Sequence, residues 1–205
     1  MRIQVITNAN GYGLSRDVQV VREALEPHHS VDFTAFDKPR KNHRYDWNIH
    51  LELLESAHFP SARVNAFIPN PEWFMPNWTG RMSGVDIVLA KTRHTQEIFQ
   101  RLHKAVHFTG WTSPDTEHRV DYTRRQVVHF AGDSITKGTQ QIIEAAAYIP
   151  HIPILVVSKQ PIKTKAPDNV TVIQGKLGEE DFRSLQRAPI HLCPSSAEGF
   201  GHYIN

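Results

Sequence analysis

Val127-Val128-His129-Phe130-Ala131-Gly132-Asp133-Ser134-Ile135-Thr136-Lys137-Gly138-Thr139-Gln140-Gln141-Ile142-Ile143-Glu144-Ala145-Ala146 decides the fold class. Val127 to Ala131 is a short apolar run of strand type, Gly132 to Thr139 is a turn, and Gln140 to Tyr148 is an amphipathic helix with Ile142, Ile143 and Ala146 facing inward. The same order opens the chain. Ile3 to Ile6 reads as a strand, Asn8 to Gly13 as a turn, and Ser15 as the N-cap of a helix whose Val18, Val21 and Leu25 share one face before Pro27 ends it.

Between these openings the alternation continues. Strands are expected at Val31 to Phe36, Trp47 to Leu51, Val64 to Ile68, Val85 to Ala90 and Val106 to Thr109, with a helix from Thr92 to His103. Trp111 to Arg125 has no periodicity and contains Pro114, so it reads as a linker. After the second opening come strands at Ile154 to Val157, Val170 to Ile173 and Ile190 to Cys193, a helix from Glu179 to Arg187, and the start of another helix at Gly199. Short strands alternating with helices predict parallel sheets covered on both faces. The expected class is α/β with two Rossmann-like domains, over 1–112 and 126–205, joined by 113–125, the second incomplete.

Composition narrows the function. The 205 residues are 40% hydrophobic and 21% charged, which supports a folded core. A net charge of +2 argues against a dedicated nucleic-acid partner. The single cysteine, Cys193, excludes a disulfide framework and points to the cytoplasm. No apolar run approaches the roughly 20 residues that span a bilayer, so membrane contact is expected to be peripheral, at the inner face. The histidines form no ligand pattern, and no metal is expected.

Two turns carry the chemistry. In Gly132 to Thr139, glycine lets backbone approach a ligand, the following helix start presents unpaired N–H groups, and Lys137 adds positive charge, as a diphosphate requires. An ordinary loop lysine fits the same residues. Pro194-Ser195-Ser196-Ala197-Glu198-Gly199-Phe200-Gly201 follows a strand; Glu198 suits neighbouring sugar hydroxyls, or merely caps a helix. Together the turns resemble the donor domain of retaining GT-B glycosyltransferases, specifically the group 1 enzymes of glycosyltransferase family four.

That resemblance implies two facing Rossmann-like domains and a nucleotide-diphosphate sugar as co-substrate, with no cofactor. It assigns catalytic roles to Lys137, on the donor diphosphate, and Glu198, on the transferred sugar. It makes Gly11, Gly13, Gly132, Gly138, Thr139, Gly199, Phe200 and Gly201 donor-binding. In the family a second glutamate, seven residues after the first, grips the ribose; counting from Glu198 runs to Asn205 before reaching it. The count predicts a donor domain truncated here, with exposed apolar sheet surface that favours a homodimer or a missing complementary segment. Asp133-Ser134 stands where many relatives carry an arginine or lysine, leaving Lys137 as the evident cation of the turn.

The acceptor is expected to be a glycan, a lipid-linked group or another small hydroxyl compound. His50, Glu72 and Trp73, near strand ends, are its candidate contacts, with core packing as the competing reading of the tryptophans. Lys38, Arg40, Lys41, His43 and Arg44 form a basic loop that suits an anionic headgroup or plain solvation. A dinucleotide fingerprint fails, because Arg16 stands where the third glycine after Gly11 and Gly13 belongs. The alternatives to transfer are a catalytically inactive nucleotide-sugar-binding or scaffold fragment, and a sugar transferase acting on nucleic acid.

Overall fold

The computed structural model of the protein describes residues 1–8, 13–39, 44–113, 119–196 and 200–202. The chain forms two compact units, Met1–Pro114 with Glu198–Asn205, and Asp115–Ala197. Each is a parallel α/β layer structure.

The first unit holds strands β1 (Arg2–Thr7), β2 (Ser30–Ala35), β3 (Tyr45–Leu51), β4 (Ala62–Ile68), β5 (Ile87–Ala90) and β6 (Val106–Phe108), in the order β2-β1-β3-β4-β5-β6. Every pairing is parallel. The order reverses between β1 and β3, the kind of switch point whose carboxyl-end crevice holds ligands in open α/β sheets. Helix α1 (Gly13–Leu25) lays Leu14, Val18 and Val21 on Ile3, Val5, Ile49 and Leu51. Helix α2 (Arg93–Phe99) is capped by Thr92, whose hydroxyl accepts the Thr95 N–H at 3.0 Å.

Period-two alternation sends the other residues of these strands to the opposite face. Under β4 and β5 that face is apolar, with Phe67, Val88, Ala90 and Phe99. Under β1 and β3 it is polar. Asn48 Nδ2 donates to the His58 carbonyl at 2.8 Å and to Asn65 Oδ1 at 3.0 Å, Ser61 Oγ donates to Gln4 Oε1 at 3.2 Å, and Gln4 Nε2 donates to Thr34 Oγ1 at 3.0 Å. Each buried amide is thereby satisfied, as low dielectric demands.

The expected strands are present, shifted by a few residues. Ser15, expected as an N-cap, lies inside α1, which begins at Gly13. The β3–β4 and β4–β5 connections are 3-10 turns, Ser56–Ser61 and Pro76–Gly84, rather than helices. Pro60, inside the first of these, removes an N–H that a longer α-helix would use, whereas Pro76 stands at the first position of the second, where proline is tolerated.

The second unit holds β7 (Val127–Gly132), β8 (Ile154–Ser158), β9 (Val170–Gln174) and β10 (Ile190–His191), all parallel, in the order β10-β7-β8-β9. Helix α3 (Thr139–Ala146) packs Ile142, Ile143 and Ala146 against Val127, Ile154 and Val156. Helix α4 (Glu179–Gln186) brings Phe182 and Leu185 to Val128, Phe130, Leu155 and Val157 on the other face. Part of the expected linker is fastened here: the Asp121 N–H donates to the Arg187 carbonyl at 2.8 Å and Arg124 to Ser184 Oγ at 2.9 Å.

The helix expected from Gly199 does not run through Phe200 to His202, which are irregular, with Gly201 at φ 79°. These residues belong to the first unit. Among the described residues, no helix is long and apolar enough to cross a membrane.

Candidate functional site

In the second unit, the two segments expected to carry the chemistry, Gly132 to Thr139 and the one that begins at Pro194, follow neighbouring strands, β7 and β10, at their carboxyl ends. Gly132 ends β7 at φ 59°, where its pairing with β8 is irregular. Ser134 then caps a 3-10 turn, Ile135–Lys137, by accepting the Thr136 N–H at 3.2 Å. Gly138 follows at φ 72°, a left-handed conformation that glycine adopts without penalty.

A side chain at Gly138 would also collide with its neighbour. A Cβ there would meet the Pro194 carbonyl oxygen at 2.6 Å and Pro194 Cγ at 2.9 Å. The Ser196 N–H donates to the Thr136 carbonyl at 2.9 Å, closing the two turns on each other. Gly138→Ala is therefore expected to destabilise the second unit by about 2 kcal/mol or more. Amide hydrogen exchange in Val127–Gly132 should accelerate, whereas tryptophan-detected unfolding of the first unit should not move.

Beneath the turns lies His129, which is fully buried. Its Nδ1 lies 2.8 Å from the Leu192 carbonyl, which only accepts, so that nitrogen donates. Nε2 is then the acceptor for Thr139 Oγ1 at 3.0 Å. Burial holds the His129 pKa below its ordinary value against the Leu192 bond, and the positive charge of Lys137 adds to the depression. One neutral ring thus ties β7 to the residue after β10 and to the first residue of α3.

A second cation stands at this turn. Lys159, just after β8, pairs with Asp133 Oδ2 at 3.2 Å. Asp133 thus draws in a lysine distant in sequence, so Lys137 is not the turn's only cation.

The first unit has its own cluster at the carboxyl ends of its strands. Lys91, directly after β5, is 1% exposed and pairs with Asp17 Oδ2 at 2.7 Å and Glu52 Oε1 at 3.3 Å. Asp17 Oδ1 accepts from His202 Nε2 at 2.9 Å, and His202 Nδ1 meets Ser113 Oγ at 2.8 Å. Asn70 Nδ2 donates to Glu52 Oε1 at 3.0 Å while its Oδ1 accepts the Glu72 N–H at 3.0 Å, fixing the loop that carries Trp73.

The two carboxyls shift in opposite directions. Burial pushes Asp17 up, but the His202 bond and the charge and hydrogen bond of Lys91 outweigh it, and its pKa lies below the usual value. For Glu52 burial prevails, helped by the charge of Asp17 against Lys91 and Asn70, and its pKa is raised. Glu52 also sits at φ 64°, the one non-glycine residue with positive φ among those described.

Of the residues expected at a site, Lys137, Gly132, Gly138 and Thr139 lie together on the β7 turn, and Gly13 begins α1. Phe200 and Gly201 lie in the first unit, Phe200 with its ring 5.0 Å from that of His202. Gly11, Glu198 and Gly199, like Arg40, Lys41 and His43 of the basic loop, lie outside the described residues. Trp73 is 54% exposed beside Glu72.

His50 is completely buried, ring-on-edge to Phe59 at 5.2 Å and 6.2 Å from His58. Among the described residues neither ring nitrogen meets a partner at full hydrogen-bonding geometry, the Leu53 backbone making only a weaker approach. Burial, with the charge of His58 adding, pushes its pKa down to about 3 against a small pull from the Leu53 backbone.

Sequence reasoning passed over Asp17, Glu52, His129 and His202. Asp17 had a signal: it shares the apolar stripe of Leu14, Val18 and Val21, where an unpaired carboxylate is forbidden. Scanned against protein-family models and against curated proteins, the sequence matches none.

Proposed function

We propose that the protein binds a nucleotide-diphosphate sugar through the Gly132–Thr139 turn and transfers the sugar, with retention, to an acceptor hydroxyl. The observation that carries this reading is the joining of the two turns: Gly138 against Pro194, and the Ser196 N–H on the Thr136 carbonyl. They are the segments on which the resemblance to GT-B retaining group 1 glycosyltransferases rests. Their position at the carboxyl ends of adjacent parallel strands suits a phosphate-bearing ligand.

The chemistry follows from charge. In a retaining transfer the sugar passes through an oxocarbenium-like state while negative charge grows on the departing diphosphate. Lys137 and the first N–H groups of α3 supply positive potential for that group, while the charge of Lys159 is offset by Asp133. The bond from the anomeric carbon to the diphosphate oxygen breaks, the acceptor oxygen takes its place on the same face, and the acceptor proton passes to the leaving phosphate. Glu198 is assigned to the sugar by resemblance.

Calorimetric titration with uridine- and guanosine-diphosphate sugars tests the reading. The unmodified chain should bind one of them, and Lys137→Ala should weaken that binding by about tenfold, the loss of one charge-assisted contact. Release of free nucleotide marks transfer or donor hydrolysis. Binding without release would support a nucleotide-sugar-binding module, and equal affinity in Lys137→Ala would remove the site.

A further inference from the structure

The first unit contains a cavity of about 270 Å³ lined by Asn8, Leu14, Glu52, Leu53, Trp73, Met75 and Trp78. Asn8 follows β1, Glu52 and Leu53 follow β3, and the aromatic residues come from the loop after β4. The cavity therefore opens at the carboxyl ends flanking the β1/β3 reversal. Its walls are mostly apolar, and Trp73 and Met75 are 54% and 51% exposed.

Among the described lining residues Glu52 is the only charged one. Its Oε1 is occupied by Lys91 and Asn70, while Oε2 makes no hydrogen bond to a described residue. Glu52 belongs to a cluster with Asp17 and Lys91, in which His202 bridges Asp17 Oδ1 and Ser113 Oγ. With Asp17 and Glu52 both ionised against Lys91, the side of the cluster that borders the apolar, tryptophan-bearing space carries one negative charge beyond what the lysine balances. Asp17 and Lys91 satisfy each other within the cluster, whereas Glu52 Oε2 has no hydrogen-bond partner among the described residues.

We propose that this cavity binds a small organic cation, an ammonium group on an apolar body about the size of one six-membered ring. The ammonium donates to Glu52 Oε2 and neutralises the excess charge; the apolar body displaces water from Leu14, Leu53 and Met75. Trp73 and Trp78 favour the same ligand twice over, through apolar contact and through attraction of a cation to the face of an indole ring. Anions are excluded, because the described lining offers no basic group to receive them. All its lining residues lie in the first unit, and nothing in it depends on the transferase reading.

All four tryptophans, Trp47, Trp73, Trp78 and Trp111, lie in the first unit, so intrinsic fluorescence of the full chain reports on this site directly. Three probes of one shape discriminate: cyclohexylammonium, cyclohexanol and cyclohexanecarboxylate, titrated at pH 7.5. Cyclohexylammonium should give a saturable change and bind about tenfold more tightly than cyclohexanol, the gain of a charge-assisted bond over a neutral one. The carboxylate should not bind. Glu52→Gln, which keeps an acceptor for Lys91 and Asn70, should erase the preference for ammonium over alcohol. Trp73→Ala, at the exposed rim, should weaken ammonium binding while leaving urea unfolding unchanged. Equal binding of alcohol and ammonium, binding of the carboxylate, absence of saturation, or an unaltered preference in Glu52→Gln would each overturn the proposal.

Discussion

Lys91→Met is expected to destabilise the first unit by about 3–5 kcal/mol, the cost of breaking a buried ion pair from one side. Methionine fills nearly the same volume, so little of the loss comes from packing. It leaves the carboxylates of Asp17 and Glu52 facing each other without the ammonium that separates them at 2.7 Å and 3.3 Å. The pH dependence carries the diagnosis. Glu52 already has a raised pKa, and removing Lys91 removes an influence that lowers it. A carboxyl whose folded pKa exceeds its unfolded value gains folding stability as pH falls through the folded pKa, because the folded state then binds the extra proton. The deficit of the variant should therefore narrow as pH falls from neutral towards the ordinary Glu52 value of 4.5. Adding Glu52→Gln to Lys91→Met should recover part of it. Urea unfolding followed by tryptophan fluorescence measures both, and a deficit under about 1 kcal/mol would mean that the cluster is not the clamp its geometry describes.

The second large effect belongs to His50. Its pKa falls from 6.5 in the ordinary state to about 3 in the fold, so the unfolded chain takes up a proton that the folded chain refuses. Stability from this group is complete above pH 6.5 and drains away as pH falls towards 3, at about 1.4 kcal/mol per pH unit and on the order of 5 kcal/mol in all. Asp17 adds to the loss only below its ordinary value of 3.8, where the unfolded carboxyl also becomes protonated. His50→Leu should flatten the stability profile between pH 7 and 4, as read by the same tryptophan signal. His129, in the other unit, should not enter that readout. Parallel profiles for His50→Leu and the unmodified chain would show that the proton is taken up elsewhere.

The parts of the fold that were legible in the sequence are those set by periodicity. The strand of Val127 to Gly132 and the helix of Thr139 to Ala146 follow directly from alternating and helical apolar spacing. The polar layer of Gln4, Asn48, Ser61 and Asn65 was not legible, because it depends on partners brought together by parallel strands distant in sequence. The same limit applies to the sites. Lys137 and Gly138 announce themselves as a turn, and the close approach of Pro194 agrees with their grouping with the segment after β10. Lys91 and Glu52 each look like an ordinary charge at a strand end; only the fold shows that both converge on Asp17 and that Glu52 also borders a cavity. His50 shows the reverse, a polar side chain at a strand end that looks like a ligand contact and is packed among Phe59 and His58 instead.

The bond between His202 and Asp17 spans 185 residues of chain. During synthesis at roughly 5–20 residues per second, about 10–40 s separate the emergence of the two partners. Lys91, which is 74 residues from Asp17, arrives much earlier. The first unit therefore leaves the ribosome able to form its sheet but with one acid half-partnered, while the whole second unit is still being made. The hydrogen bond from His202 to Asp17 is a late event in the life of each molecule, and nascent chains held before His202 should show a first unit that is folded yet measurably easier to open than one that includes it.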